Sequence, residues 1–292
     1  MRNITNLIPD GTAGLVSAIQ QQDGATAWSK SNKAAADFRD YTKADEDQPS
    51  IAEFYKQNHI HQTLDHVLAQ KAKYCDDQVR KTSMGIWQVL EILDKFVDES
   101  DPDTEMSQIM HSLQSSEAAR KDGQPRWMIL TALIHDIGKW IAVCGEPQWS
   151  TVGDTFPVGC QVSPKVVYSE YFALNPDTQK YGNSKYGIYS PHCGLHNLHM
   201  SFGHDEYLYH VCKDYLPKEA LYIIRFHSFY AWHTSGEYTW FMNDEDHQMM
   251  KWVKQFNQYD LYSKAEETPD VDQLKPYYLN LIDEFFPKTI KW

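Results

Sequence analysis

The chain has 292 residues, enough for one large or two ordinary domains, and 42% of them are hydrophobic, so a sizeable core is available. Its formal net charge of -13 argues against nucleic-acid and anionic-membrane partners, both of which favour basic patches. No apolar run approaches a membrane span, and five scattered cysteines with no C-x-x-C suit a reducing, cytoplasmic compartment.

Residues 1–37, rich in Gln, Ala, Ser and Asp, read as a flexible N-terminal leader. Residues 38–292 read as a single, predominantly helical domain. An ordered loop from Phe38 to Pro49 leads into a helix over 51–74. A second helix is expected over 82–97, with Trp87, Leu90, Leu93 and Val97 at helical spacing. A third spans 105–121 and stops at Gly123. The fourth covers 127–143, with Trp127, Leu130, Leu133, Ile134, Ile137, Trp140 and Ile141 on its apolar positions and Gly145 and Pro147 beyond its end. Residues 145–165 and 173–200 form long loops of the kind that often carry function, with a short strand at 165–168. Helices follow over 202–215, 217–230, 244–263 and 275–286. No internal repeat or coiled-coil seam is visible, which favours a monomer.

The fourth helix carries Thr131-Ala-Leu-Ile-His-Asp-Ile-Gly-Lys139. Adjacent residues on an α-helix point about 100° apart. His135 and Asp136 are therefore placed for the imidazole to hold one metal while the carboxylate reaches a second. Polar residues recur on other apolar faces: His227 among Ala220, Ile223, Ile224 and Tyr230; Asp260 one turn after Phe256; His204 in a stripe with Leu208 and Val211; and His111 at the border of a Met106, Ile109, Leu113 face. Each alone is an ordinary buried histidine or carboxylate. Together, a shared cation accounts for them at lower cost than separate buried partners, because unpaired buried charge is expensive. Four imidazoles and two carboxylates without thiolate suit iron, manganese or zinc. His59, His61, His66, His192, His196, His199, His210, His233 and His247 compete for the same roles on spacing alone. Lys139, four residues after His135, shares its face; it reads either as a donor to an oxygen-rich substrate or as a helix-end charge. No Gly-x-Gly-x-x-Gly follows a strand, so no nicotinamide or flavin is implied.

His111, His135-Asp136 and the distal Asp260 resemble the HD-domain metal proteins, an all-helical superfamily. Further segments resemble myo-inositol oxygenase: Asp98-Glu-Ser-Asp-Pro-Asp103, Gly145-Glu-Pro-Gln-Trp149, Val152-Gly-Asp-Thr-Phe-Pro-Val-Gly-Cys160, Lys185-Tyr-Gly-Ile-Tyr-Ser-Pro-His-Cys-Gly-Leu195, Gly203-His-Asp-Glu-Tyr-Leu-Tyr209, Arg225-Phe-His-Ser-Phe-Tyr230, Trp232-His-Thr234 and Lys275-Pro-Tyr-Tyr278. The likeness covers about residues 38–292; His66 stands where an aromatic residue is expected. The resemblance implies an all-α HD-type bundle with long functional loops and two non-haem irons. It implies an O2-dependent, four-electron cleavage of the myo-inositol ring to D-glucuronate. On the family's pattern His111, His135 and Asp260 hold one iron, His204 and His227 the other, and Asp136 bridges. The polyol would chelate one iron beside His227 and accept a hydrogen bond from Lys139, surrounded by Arg39, Asp98, Glu99, Ser100, Gly153, Asp154 and Ser228, with Tyr55 in a lid. The alternative within the same superfamily is a two-metal phosphohydrolase or phosphodiesterase, which would want several cations converging on a phosphate. Near the expected site these are Lys139, Arg39 and, at a stretch, Arg225.

Overall fold

Residues 49–100, 107–262 and 269–292 are described by a computed structural model. The 1–37 leader, its boundary with the domain, and Arg39 lie outside the described residues. Helices dominate, as expected, and the one sheet among the described residues has two strands.

The expected helix over 51–74 is two helices, α1 (Pro49–His61) and α2 (Leu64–Tyr74). Thr63 makes the break. Its backbone is extended (φ -100°, ψ 162°) and its side chain accepts the His66 N–H, capping α2. The preceding Gln62 is buried, donating to the Trp149 and Phe202 carbonyls and accepting the Phe202 N–H. This anchors the corner between the two helices.

The expected helix over 82–97 is shorter. Ser83–Met84 form a strand, β1, and α3 runs only over Ile86–Leu93. β1 pairs antiparallel with β2 (Ile290–Lys291) at the far end of the sequence, Ser83 opposite Lys291 and Met84 opposite Ile290. The expected strand at 165–168 does not form. That segment turns, with Tyr168 left-handed at φ 51° and its ring stacked on Tyr55.

Helix α4 (Gln108–Lys121) turns back at Gly123 (φ 67°) into α5 (Arg126–Ile134). Every residue of α5 from Met128 to Ile134 is buried, so α5 is the central rod of the domain. It ends where the sequence pattern suggested continuation: His135 caps it, Ile137–Lys139 tighten into a 3-10 turn, and α6 (Trp140–Val143) resumes. The cause is Gly138. A Cβ there would lie 2.2 Å from the His204 carbonyl oxygen, so only glycine lets this turn lie against the start of α8 (His204–Cys212).

The long loops hold a short helix α7 (Pro176–Tyr181) and several 3-10 turns. Then come α9 (Lys218–Phe226), α10 (Tyr230–His233), α11 (Asp244–Tyr262) and α12 (Val271–Phe285). Helix α12 begins four residues before the expected start, capped by Asp270, whose carboxylate accepts the Gln273 N–H. Helices α4, α9, α11 and α12 all pack on α5. The main core is one continuous cluster. A small second cluster of Ile51, Phe54, Tyr55 and Val152 seats α1 on the loop at 148–153.

Candidate metal centre

Five elements bring their polar residues to one place beside the end of α5. His111 comes from α4, His135 and Asp136 from the break after α5, His204 from the first residue of α8, His227 from the cap of α9, and Asp260 from α11. His111 Nε2 and His135 Nε2 lie 3.3 Å apart, and each is 3.2–3.3 Å from Asp260 Oδ1. His204 Nε2 and His227 Nε2 lie 3.1 Å apart. Asp136 sits between the two groups. Its Oδ1 is 3.7 Å from His135 Nε2, 3.3 Å from His204 Nε2 and 3.7 Å from His227 Nε2, while Oδ2 lies 3.9 Å from His111 Nε2.

The imidazoles are aimed by backbone. His135 Nδ1 meets the Ala132 carbonyl at 3.0 Å, His204 Nδ1 the Thr151 carbonyl at 2.9 Å, and His227 Nδ1 the Ile224 carbonyl at 3.0 Å. A carbonyl oxygen only accepts, so each Nδ1 carries a proton and each Nε2 is turned to the centre. Unprotonated nitrogens and carboxylate oxygens at such distances repel unless positive charge lies among them. Burial by itself would lower the His204 pKa, but the Asp205 and Asp136 carboxylates outweigh it and push it up to about 10. A proton meets that demand in part; a metal ion held by the same nitrogens and oxygens meets it for the whole cluster. Phe256, one turn before Asp260, lies 5.1 Å from the His135 ring and 6.1 Å from the His227 ring, closing the apolar side.

Lys139 is buried. Because the helix breaks, it meets Asp136 rather than continuing the His135 face: Nζ lies 2.8 Å from Asp136 Oδ2, 2.8 Å from Asp98 Oδ2 and 3.2 Å from Gln108 Oε1. Burial would raise the Asp136 and Asp98 pKa values, yet the Lys139 ammonium holds both below the usual carboxylate range, Asp136 well below it. Ser100 donates to Asp98 Oδ1 through both its N–H and its hydroxyl. Tyr55 donates to Asp154 Oδ1 at 3.3 Å, linking α1 to the loop after Gly153. Gly153 has φ 97°, and a Cβ there would sit 3.0 Å from the Phe54 ring. Ser228 donates its N–H and hydroxyl to Asp205, and its carbonyl accepts the Thr155 N–H. Glu99 is not gathered in: it is exposed, and its backbone N–H is tied to Gln148.

Two residues near the centre escaped the sequence reading. Asp205 Oδ1 is 2.9 Å from His204 Nε2 and 3.6 Å from His227 Nε2, buried and ionised. The second His-Asp dipeptide, at 204–205, was its signal. Gln108, which holds Lys139, left none. Arg225, by contrast, turns away from the centre, forked onto Glu206. Eight of the nine competing histidines are engaged elsewhere: His59 with Val167, His61 with Gln57, His66 with Ser150, His192 with Met242, His196 with Arg225, His199 with Lys71, His210 with Glu206, and His233 with the His227 carbonyl.

The family model described as myo-inositol oxygenase matches residues 48–292. The chain belongs to the myo-inositol oxygenase family. It is 46% identical to inositol oxygenase 4 of Arabidopsis thaliana over 99% of its own length and 93% of the relative's. It is 42% identical to the inositol oxygenase of Dictyostelium discoideum over 98% of its length and all of the relative's, and 45% identical to that of Mus musculus over 89% and 92%. The segments that carried the resemblance to myo-inositol oxygenase in the sequence therefore belong to a match that spans nearly the whole chain.

Replacing Lys139 with Ala tests the cation at this family member's centre. The change leaves two buried carboxylates without their counter-charge, which costs about 3–5 kcal/mol in the metal-free protein. Loss of most turnover should accompany it. Denaturant melts and steady-state kinetics read the two effects. A variant with normal stability, kcat and KM would reduce Lys139 to a helix-end charge.

Proposed function

We propose that the protein is a myo-inositol oxygenase that uses O2 to cleave the ring of myo-inositol to D-glucuronate, a four-electron oxidation. His111, His135 and Asp260 would hold one iron, His204 and His227 the second, and Asp136 would bridge them. The observation that carries this reading is Asp136 Oδ1 facing imidazoles of both groups, at 3.7 Å from His135 and 3.3 Å from His204. When bound, the iron pair supplies the redox capacity towards O2 that side chains lack.

The chain's own groups do the rest. Lys139 stays protonated, since Asp136 and Asp98 raise its pKa against the effect of burial, and it is the donor for a substrate oxygen. Asp98 and Asp154 accept from ring hydroxyls, with Ser100 and Tyr55 fixing the two carboxylates. Ser228 offers a hydroxyl beside His227. Tyr55, its ring set against those of Phe54 and Tyr168, would cover the site from α1 and exclude water. Arg39 completes the set in this reading. Five unpaired cysteines accord with a cytosolic enzyme, and we take it to act as a monomer. No described helix is long and apolar enough to cross a membrane.

The charge balance favours a neutral polyol over a phosphate ester. Among the described residues of the centre Lys139 is matched by Asp98 and Asp136, and Arg225 is committed to Glu206. A phosphohydrolase would need surplus cations. The iron-loaded enzyme should consume one O2 per myo-inositol and release one glucuronate, without nicotinamide or flavin. Oxygen uptake and sugar acid measured in one vessel decide it; phosphate-ester hydrolysis without oxygen uptake would overturn the reading.

A further inference from the structure

Helices α8 and α9 each carry one of the paired imidazoles, and each carries a buried charge two residues away. His204 is followed by Glu206, and His227 is preceded by Arg225. Two residues on a helix are about 200° apart. The imidazole pair and the charged pair therefore bracket the α8–α9 packing line from opposite sides. On the centre's side, His204 Nε2 and His227 Nε2 are 3.1 Å apart. On the far side, Arg225 grips Glu206 as a fork: Nε to Oε2 at 2.7 Å and Nη2 to Oε1 at 3.1 Å. Both residues are buried, Glu206 at 1% and Arg225 at 4% exposure. The far side is itself fixed. Arg225 Nη1 donates to the His196 carbonyl at 3.0 Å, and Lys71 Nζ lies 2.7 Å from Glu206 Oε1.

We propose that Glu206 and Arg225 are positioning residues that set the spacing and rotation of His204 and His227, and thereby the hold on the second iron. This rests on the reading that those imidazoles bind an ion. A buried ion pair is a poor way to gain stability, because desolvation offsets much of its attraction. An apolar contact would hold two helices together at least as well. What the fork adds is direction: a planar guanidinium on a carboxylate permits one orientation, whereas packed methyl groups tolerate several. With contacts on both sides of the packing line, neither helix can roll without breaking one of them. Neither member hydrogen-bonds or ion-pairs with a proposed iron ligand, so the pair acts through the two helices.

The test uses the full chain loaded with ferrous iron and follows iron release to a chelator, alongside the iron count and the melting temperature of the metal-free protein. Wild type should hold two irons. Arg225→Met and Glu206→Gln should each speed the release of one iron by about 10–100-fold, the range found when groups that orient ligands are removed, and leave the other iron's release unchanged. Arg225→Lys, which keeps charge but loses the fork, should fall between. Two irons released at wild-type rates from both variants would overturn the proposal and leave the two-iron reading intact. A wild-type chain that never holds a second iron would overturn both. Equal weakening of both irons, or loss of the fold in all three variants, would make the pair a general fold determinant and overturn the specific role.

Discussion

Asp136→Asn should purify with at most one firmly held iron and with turnover reduced more than about 100-fold, beyond the 10–100-fold seen when only a ligand's supporting group is lost. Among the described residues, this carboxylate is the group that lies within 4 Å of imidazoles from both halves of the centre. It also carries one of the two negative charges facing Lys139. A neutral amide removes both functions: it bridges two cations poorly, and it leaves the ammonium with Asp98 alone. The variant should remain folded, because Asn has the same shape and can still accept from Lys139. Loss of His111 or His227 should be milder, since in the proposed arrangement each would serve one ion. Iron counting on the purified protein reads the difference. Two tightly bound irons with normal activity would end the bridging assignment.

Gly138→Ala should be damaging without touching a ligand. The new methyl carbon would lie 2.2 Å from the His204 carbonyl oxygen and 2.9 Å from Leu208 Cβ. Neither can retreat cheaply, since one is backbone and the other is the root of a fully buried side chain. Ordinary overpacking costs about 1–3 kcal/mol, and contact with backbone places this change at or above the upper end. Helix α8 must shift, and His204 is its first residue, so the second iron should be lost before the first. Denaturation midpoints with iron counts check both parts. A Gly138→Ala variant with unchanged midpoint and two irons would mean that α8 yields freely.

Much of the centre was legible because burial makes a polar residue conspicuous. His227 among Ile223 and Ile224, and Asp260 after Phe256, stood out as polar groups on apolar helix faces, and the structure brings both to the cluster. What was hidden depends on contacts between distant segments. The helical pattern through Ile134, Ile137 and Ile141 is genuine, yet the chain breaks there because Gly138 must lie against His204. That break is also why Lys139 meets Asp136 instead of continuing the His135 face. Ser83 and Met84 look like the start of a helix until Ile290 and Lys291 are seen beside them. The apolar piece ending at Tyr168 reads as a strand, but its role is to turn and stack on Tyr55. Arg225 looked available to a substrate, and only the fold reveals Glu206 as its partner.

The pairing of β1 with β2 also bears on how the chain is made. The Trp292 indole donates to the Met84 carbonyl across 208 residues of sequence, its backbone N–H reaches the Thr82 carbonyl, and its ring lies 6.4 Å from that of Trp140, next to Lys139. Closing so long a loop is entropically slow. A polypeptide emerging from the ribosome has all its proposed iron ligands, from His111 to Asp260, before it has this strand. The ligand-bearing helices can assemble first; the brace behind the Lys139 turn comes only when Ile290 to Trp292 have left the exit tunnel.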